Sequence, residues 1–125
     1  RQAHDREVVR VVVTPPGGLE GVGFDRDPGR PLPPRTRRAA SLAELARAVD
    51  HVVTCLPSPA ASEAVLAGLL PHMAPGMTWI ENSTLGRDDV LRLAGLAEAA
   101  GVAMIEAPVT GGVHLAARGE ITVLA

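Results

Sequence analysis

The stretch Met104–Gly119, MIEAPVTGGVHLAARG, constrains the chain more than any other. Met104 and Ile105 close an apolar run, and Pro108 removes a backbone donor and stops regular strand pairing. Thr110-Gly111-Gly112 then follow in a turn that admits only small residues, and Val113 to Ala117 suit one or two helical turns. A strand that ends in a tight, hydroxyl-bearing turn before a helix leaves free N–H groups where a small carboxylate binds well. Two readings of Thr110, Gly111 and Gly112 stand side by side: a carboxylate cradle, or a Gly-Gly turn that only joins strand to helix.

The same strand-turn-helix order recurs upstream. His51 to Leu56 reads as a buried strand stopped by Pro57-Ser58-Pro59, and Thr78 to Asn82 as another that runs into Ser83-Thr84. Helices fill the intervals. Ser41-Leu42-Ala43-Glu44 is a capping box that predicts a helix from Leu42 to about Val49. Ser58 caps a second helix with Pro59 as its first residue, continuing through Ala64, Val65 and Leu69. Asp88 and Asp89 mark the start of a third, whose apolar side is Val90, Leu91, Leu93, Ala94, Ala97 and Ala100 and whose end is Gly101. Val102 to Ile105 and Ile121 to Leu124 are further strands. With 46% hydrophobic but only 2% aromatic residues, the core must be built from Val, Leu, Ile and Ala, which suits parallel strands under Ala-rich helices. The expected fold is α/β and Rossmann-like, a mostly parallel sheet with helices on both faces, and 125 residues fit a single domain spanning 1–125.

The N-terminal part departs from that pattern. Val8 to Val13 is a β-branched run typical of a central strand, ended by Thr14-Pro15-Pro16-Gly17-Gly18, but residues 1–20 otherwise read as irregular. A dinucleotide-binding turn should be Gly-x-Gly-x-x-Gly, which lets the pyrophosphate approach a helix N-terminus, and that fingerprint is missing. Only Leu19 and Glu20 precede the next strand-like stretch, Gly21 to Asp25, so no crossover helix fits and the first βαβ unit is degenerate. Asp25 stands where an acid accepts hydrogen bonds from the adenosine ribose, favouring NAD, while the following Arg26 could tolerate a 2′-phosphate. A solvated Asp-Arg-Asp-Pro turn explains the same residues equally well. Pro31, Pro33 and Pro34 forbid a helix interior, so 29–40 reads as a mobile basic loop, with Arg35, Arg37 and Arg38 as phosphate candidates.

Charge and composition exclude several classes of function. The net charge of −2 gives no general case for nucleic acid or membrane, although residues 1–40 sum to +3 and 41–125 to −5. All twelve basic residues are Arg, so the chain has no lysine. The single Cys55 excludes an internal disulfide and, lying in an apolar strand, reads as a small buried hydrophobe; a reducing cytoplasm is the simplest compartment. His4, His51, His72 and His114 have no ligand-like spacing, so no metal site is expected. His114 follows the Gly-Gly turn and could donate a proton there, or be an ordinary helix-start histidine. No nucleophile-elbow pattern surrounds Ser83.

Three segments taken together, DHVVTCLPSP (50–59), WIENSTLG (79–86) and EAPVTGGVHLAARGEITVLA (106–125), resemble the 3-hydroxyisobutyrate dehydrogenase family of β-hydroxyacid dehydrogenases in order and approximate spacing. The resemblance covers about 21–125. It implies a domain that binds NAD or NADP, with Leu56 and Pro57 against the cofactor and Thr84 beside the nicotinamide, unless Ser83 or Thr84 only caps the next helix. It also implies a hydroxyacid substrate held at Thr110, Gly111 and Gly112, and full-length members that are homo-oligomers. The family's proton carrier is a lysine on a helix beyond the Gly-Gly turn, and a second, helical domain completes its substrate pocket. With no lysine, and lacking the pyrophosphate fingerprint, the chain is expected to be a cofactor-domain fragment with no catalytic residue of its own. A non-catalytic Rossmann-like binding module and a piece of a related imine or semialdehyde reductase share the same residues.

Overall fold

The computed structural model describes residues 21–32 and 34–125. The Val8–Val13 run and the irregular 1–20 segment lie outside them. Strand β1 (Gly21–Gly23) pairs in parallel with β2 (Thr36–Arg38), followed by helix α1 (Leu42–Ala48). Next come β3 (His51–Thr54), α2 (Pro59–Leu69) with a 3₁₀ turn at Leu70–His72, β4 (Thr78–Glu81), α3 (Arg87–Ala99) and β5 (Ala103–Glu106). The chain finishes in β6 (Val109–Thr110), α4 (Gly112–Arg118) and β7 (Thr122–Val123). β3, β4 and β5 form a parallel sheet in sequence order, joined by α2 and α3 as crossovers, while β6 and β7 pair antiparallel. This is the α/β, mostly parallel architecture expected.

The local signals act where the sequence places them. Ser41 Oγ accepts the Glu44 N–H at 3.1 Å, and the Glu44 carboxylate reaches back to the Ala40 N–H, one residue beyond the cap. Ser58 caps α2 by accepting the Ala61 N–H at 3.1 Å, with Pro59 in the first turn. At the end of α3, Gly101 adopts φ +75°, and Gly101 N and Val102 N donate back to the carbonyls of Glu98 and Ala97, the paired bonds of a Schellman stop.

Packing is one-sided. Val52 and Trp79 occupy one register row of the sheet, fully buried against Leu45 and Ala46 of α1, Leu66 and Leu69 of α2, and Leu93 and Ala97 of α3. The opposite row, Val53, Ile80 and Ile105, is not part of that core, and Ile105 is exposed. Among the described residues, α1, α2 and α3 therefore make a single layer.

Three expectations are corrected. The 29–40 segment is not all loop, because Thr36–Arg38 forms β2 and is extended at each end by Gly21 N to Arg35 O and Ala39 N to Gly23 O bonds. The prolines did exclude a helix, but they end at Pro34, and the strand starts only after Arg35 turns the backbone at φ +64°. Cys55 is exposed rather than buried: strand alternation points Val52 and Thr54 inward and continues to put Cys55 outward. Leu91, expected on the apolar side of α3, is 54% exposed, and burial concentrates on Leu93 and Ala97.

Candidate functional site

Parallel strands bind ligands at their carboxyl edge, where the following turns expose backbone groups. Here that edge is braced from inside. Glu81, the last residue of β4, is fully buried, and its Oε1 accepts the Thr54 hydroxyl at 2.9 Å, the Ser83 N–H at 2.9 Å and the Ser83 hydroxyl at 2.5 Å. Trp79 Nε1 donates to Thr54 Oγ1 at 2.9 Å, and Ser83 Oγ accepts the Leu56 N–H at 2.7 Å. The turn after β3 is thus tied to the turn after β4 through one hydroxyl and one carboxylate. Glu81 Oε2 has no hydrogen-bond partner among the described residues. Although Cys55 is exposed as a residue, partial desolvation of its thiol, and then the Glu81 carboxylate, push the thiol above its ordinary value.

This arrangement settles how the Asn82-Ser83-Thr84 turn works locally. Neither Ser83 nor Thr84 caps α3, whose N-cap is Gly86, without a side-chain bond. Ser83 is buried and joins the two turns, leaving Thr84 exposed beside it. Leu56 is buried and Pro57 exposed, so the Leu56-Pro57 turn presents the proline outward.

A cleft of about 400 Å³ opens between β1 and α2. Phe24, Leu42, Leu56, Ala60, Ala61, Ala64 and Val65 make its apolar walls, with Arg26 and Ser58 as its polar lining. Such a slot suits a flat heteroaromatic ring with a charged group at its mouth. Asp25, between the lining residues Phe24 and Arg26 in sequence, is buried. Its side chain is 1% exposed, Oδ1 accepts the Asp27 N–H at 2.9 Å, and Oδ2 sits 3.3 Å from Arg30 Nε. Leu56, held by the brace, also lines this cleft, so the cleft and the braced turns adjoin. The glycine-rich pyrophosphate turn has no counterpart in the sequence.

Thr110, Gly111 and Gly112 occupy different surroundings. β5 leaves the sheet at the same edge as β3 and β4, since Thr54, Glu81 and Glu106 share a register and Ala107 N donates to Glu81 O at 2.8 Å. Beyond it, Thr110 ends β6, paired with Thr122, and all three residues of the motif are exposed. Gly111 and Gly112 have φ of +120° and +74°, conformations that glycine adopts without strain. His114 is exposed on α4. Among the described residues no cluster of His, Cys, Asp or Glu could hold a metal, and no helix is long and apolar enough to cross a membrane.

Sequence reasoning brought Leu56, Pro57 and Thr84 to one place but missed Glu81 and Thr54. The signal was available in the alternation of Thr78-Trp79-Ile80-Glu81, which puts a carboxylate on the same face as the tryptophan.

Comparison with known proteins places this geometry. The profile of the NAD binding domain of 6-phosphogluconate dehydrogenase matches residues 24–125. The chain is 34% identical over 87 residues to the NAD-dependent L-serine dehydrogenase of Pseudomonas aeruginosa, covering 67% of this chain and 29% of that protein. Mouse mitochondrial 3-hydroxyisobutyrate dehydrogenase is likewise 34% identical over 87 residues, with 26% of its length covered. The structure of Mycobacterium tuberculosis 3-hydroxyisobutyrate dehydrogenase with L-serine superposes with a TM-score of 0.76 at 26% identity, over 86% of this chain and 38% of that one. The chain thus matches less than a third of the length of these two curated relatives.

Proposed function

The chain belongs to the family of the NAD binding domain of 6-phosphogluconate dehydrogenase, and on that premise we propose that it is the cofactor-holding part of an oxidoreductase acting on a 3-hydroxyacid of the 3-hydroxyisobutyrate type. The observation that carries this reading is the Glu81–Ser83–Leu56 brace, which holds two turns together at the carboxyl edge of a parallel sheet. A ligand that runs from the Phe24–Leu56 cleft past Pro57 to Thr84 meets turns already set in place, so little ordering opposes binding. In this reading Leu56 and Pro57 line the cofactor, Thr84 lies beside its nicotinamide end, and Asp25 backs the adenosine end. Thr110, Gly111 and Gly112 take the substrate carboxylate. Bound nicotinamide supplies the hydride acceptor or donor.

The chain's own residues bind and orient but move no proton. The proposed carrier in this family is a lysine, a positioned acid/base is worth ~10²–10⁴-fold in rate, and the sequence contains none. Backbone-amide NMR with added NAD tests the binding site. Weak binding is expected, because the pyrophosphate turn is missing, with shifts confined to Phe24, Leu56, Ser83 and Thr84. Absent shifts at these positions would overturn the cofactor reading. The same sample, given 3-hydroxyisobutyrate, should show no nicotinamide absorbance change, and steady turnover would overturn the assignment of the proton carrier.

A further inference from the structure

We propose that the outer face of α3 is a docking surface for a second copy of this chain. The two α3 helices pack antiparallel about a two-fold axis, with Leu91 of each over Gly95 of the other and Arg87 of each beside Glu98 of the other. The proposal is independent of the cofactor reading. α3 turns Leu93 and Ala97 into the core, and Leu91 and Gly95 lie about one turn apart on the side away from them. Leu91 is 54% exposed. A Cβ on Gly95 would meet nothing within 4 Å, so the backbone is bare there and a neighbouring helix can approach it closely. A single exposed leucine asks for no partner. The charges beside it do.

Arg87 stands in the first turn of α3 and Glu98 in the last, each at the end where its charge opposes the helix macrodipole. Both are exposed, and neither side chain has a hydrogen bond or ion pair among the described residues. The other charges of the helix are accounted for. Asp88 and Asp89 suit their own first turn, and Arg92, which lies near the two-fold axis, is matched by Glu63 and Asp89. Antiparallel pairing sets Arg87 against the C-terminal end of the second helix, beside its Glu98, and Glu98 against the N-terminal end. Both opposed charges then face a complementary charge and a complementary dipole end. The spacing allows it, since Arg87 and Glu98 are about three turns apart and share one flank of α3, as a two-fold pair of this kind requires. The Arg87–Glu98 and Leu91–Gly95 pairs are also centred on the same point, at Arg92 and Leu93. A helix of 13 residues is about 20 Å long, which gives a face at the small end of specific interfaces. The dimer is therefore weak, with a Kd on the order of 100 μM.

Sedimentation equilibrium of the full chain, from about 10 μM to about 1 mM, should show a reversible monomer–dimer equilibrium. Gly95→Leu raises helix propensity, and its Cβ meets no neighbour within its own chain, so the fold stands while the two helices are held apart. It should weaken association at least about tenfold, and Leu91→Gln, also at an exposed position, should do so by a similar factor. Arg87→Glu and Glu98→Arg each suit their own macrodipole better than the parent residue, yet each should weaken association about threefold. The doubly reversed chain restores opposite charges across the axis and should recover the parental Kd. Amide spectra that match the parent outside α3 check the fold of every variant. A parent that stays monomeric up to about 1 mM overturns the proposal. A dimer that survives both Gly95→Leu and Leu91→Gln associates through another face and overturns it too. Failure of the double reversal to recover affinity overturns the antiparallel pairing, and with it the proposal.

Discussion

The turns after β4 and β5 leave the same sheet edge from register-matched residues, Glu81 and Glu106, yet they are held in opposite ways. After β4 the carboxylate is fully buried, and its hydrogen bonds fix Ser83 and, through it, Leu56. After β5 the carboxylate is exposed, and the chain runs through β6 to a turn that relies on two positive-φ glycines under no cover among the described residues. The helix layer makes the difference: it lies over the inward row of β3 and β4 and leaves β5 largely exposed. A turn under cover can be tied by polar groups because water does not compete for them, whereas an exposed turn must be shaped by backbone preference alone. The first is fixed by its own hydrogen bonds. The second gains its shape cheaply and has room to accept a covering element.

Breaking the buried side of the comparison should have the largest effect. Glu81→Leu removes the acceptor of the Thr54 hydroxyl, the Ser83 N–H and the Ser83 hydroxyl at once, leaving buried donors unpaired. A loss of about 3 kcal/mol or more in urea unfolding is expected. Glu81→Gln keeps one carbonyl oxygen in place and should cost about half of that. It should also bring the Cys55 thiol down toward its ordinary range, because the carboxylate contributes to its upward shift. The check is alkylation rate against pH: Cys55 in the parent should become reactive only at higher pH than in Glu81→Gln. An identical profile in the two proteins would mean that Glu81 carries no charge next to the thiol.

Ser83→Ala should come next, at about 1–2 kcal/mol, since it leaves the Leu56 N–H without its acceptor but spares the Ser83 N–H to Glu81 bond. Hydrogen exchange at the Leu56 amide reads the brace directly. That amide should exchange at least about tenfold faster in the variant, in line with the energy lost. Unchanged protection would show that the two turns are held independently of each other.

The contrast between the two turns was only half legible in the sequence. Ser41, Ser58, Pro59 and Gly101 announced their roles because caps and stops depend on local backbone groups within a few residues. Leu56 and Ser83 are 27 residues apart, and nothing in their neighbourhoods announces the hydrogen bond between them. Asp25 shows a related limit. Its position after a strand was right, but its partner Arg30 lies around a turn, and which way a carboxylate faces depends on that turn closing. Cys55 shows the limit of treating a run of apolar residues as uniformly buried, because strand alternation sorts it outward.

On the exposed side, Gly111→Ala should cost about 1–2 kcal/mol, and for two separable reasons. The backbone at φ +120° disfavours any Cβ, and a Cβ built there would come within 2.7 Å of Leu115 Cδ1 and 3.2 Å of its Cβ. The cost should be local to α4, seen as amide shifts over 112–118 with the core resonances unmoved. Gly112→Ala meets no neighbour within 4 Å but has φ +74°, so it isolates the backbone term. Equal costs for the two variants would mean that Leu115 yields and that conformation alone demands glycine here.

The smallest effect on the fold is expected at Thr110. The residue is exposed at the end of β6, and Thr110→Val keeps its β-branched shape, so stability should change by less than about 0.5 kcal/mol. That neutrality makes it a cleaner probe of substrate binding than Gly111→Ala, whose backbone strain would confuse any loss of affinity. When the chain is joined to a lysine-bearing helical domain of a relative, Thr110→Val should raise the hydroxyacid KM about tenfold, equivalent to ~1.4 kcal/mol, by removing one hydrogen bond to a carboxylate. Cofactor affinity should hold, because the braced turns lie on the other strands of the edge. A KM unchanged alongside unchanged stability would leave Thr110-Gly111-Gly112 as a connection between β6 and α4, and the substrate carboxylate would then have to be sought against the covering domain.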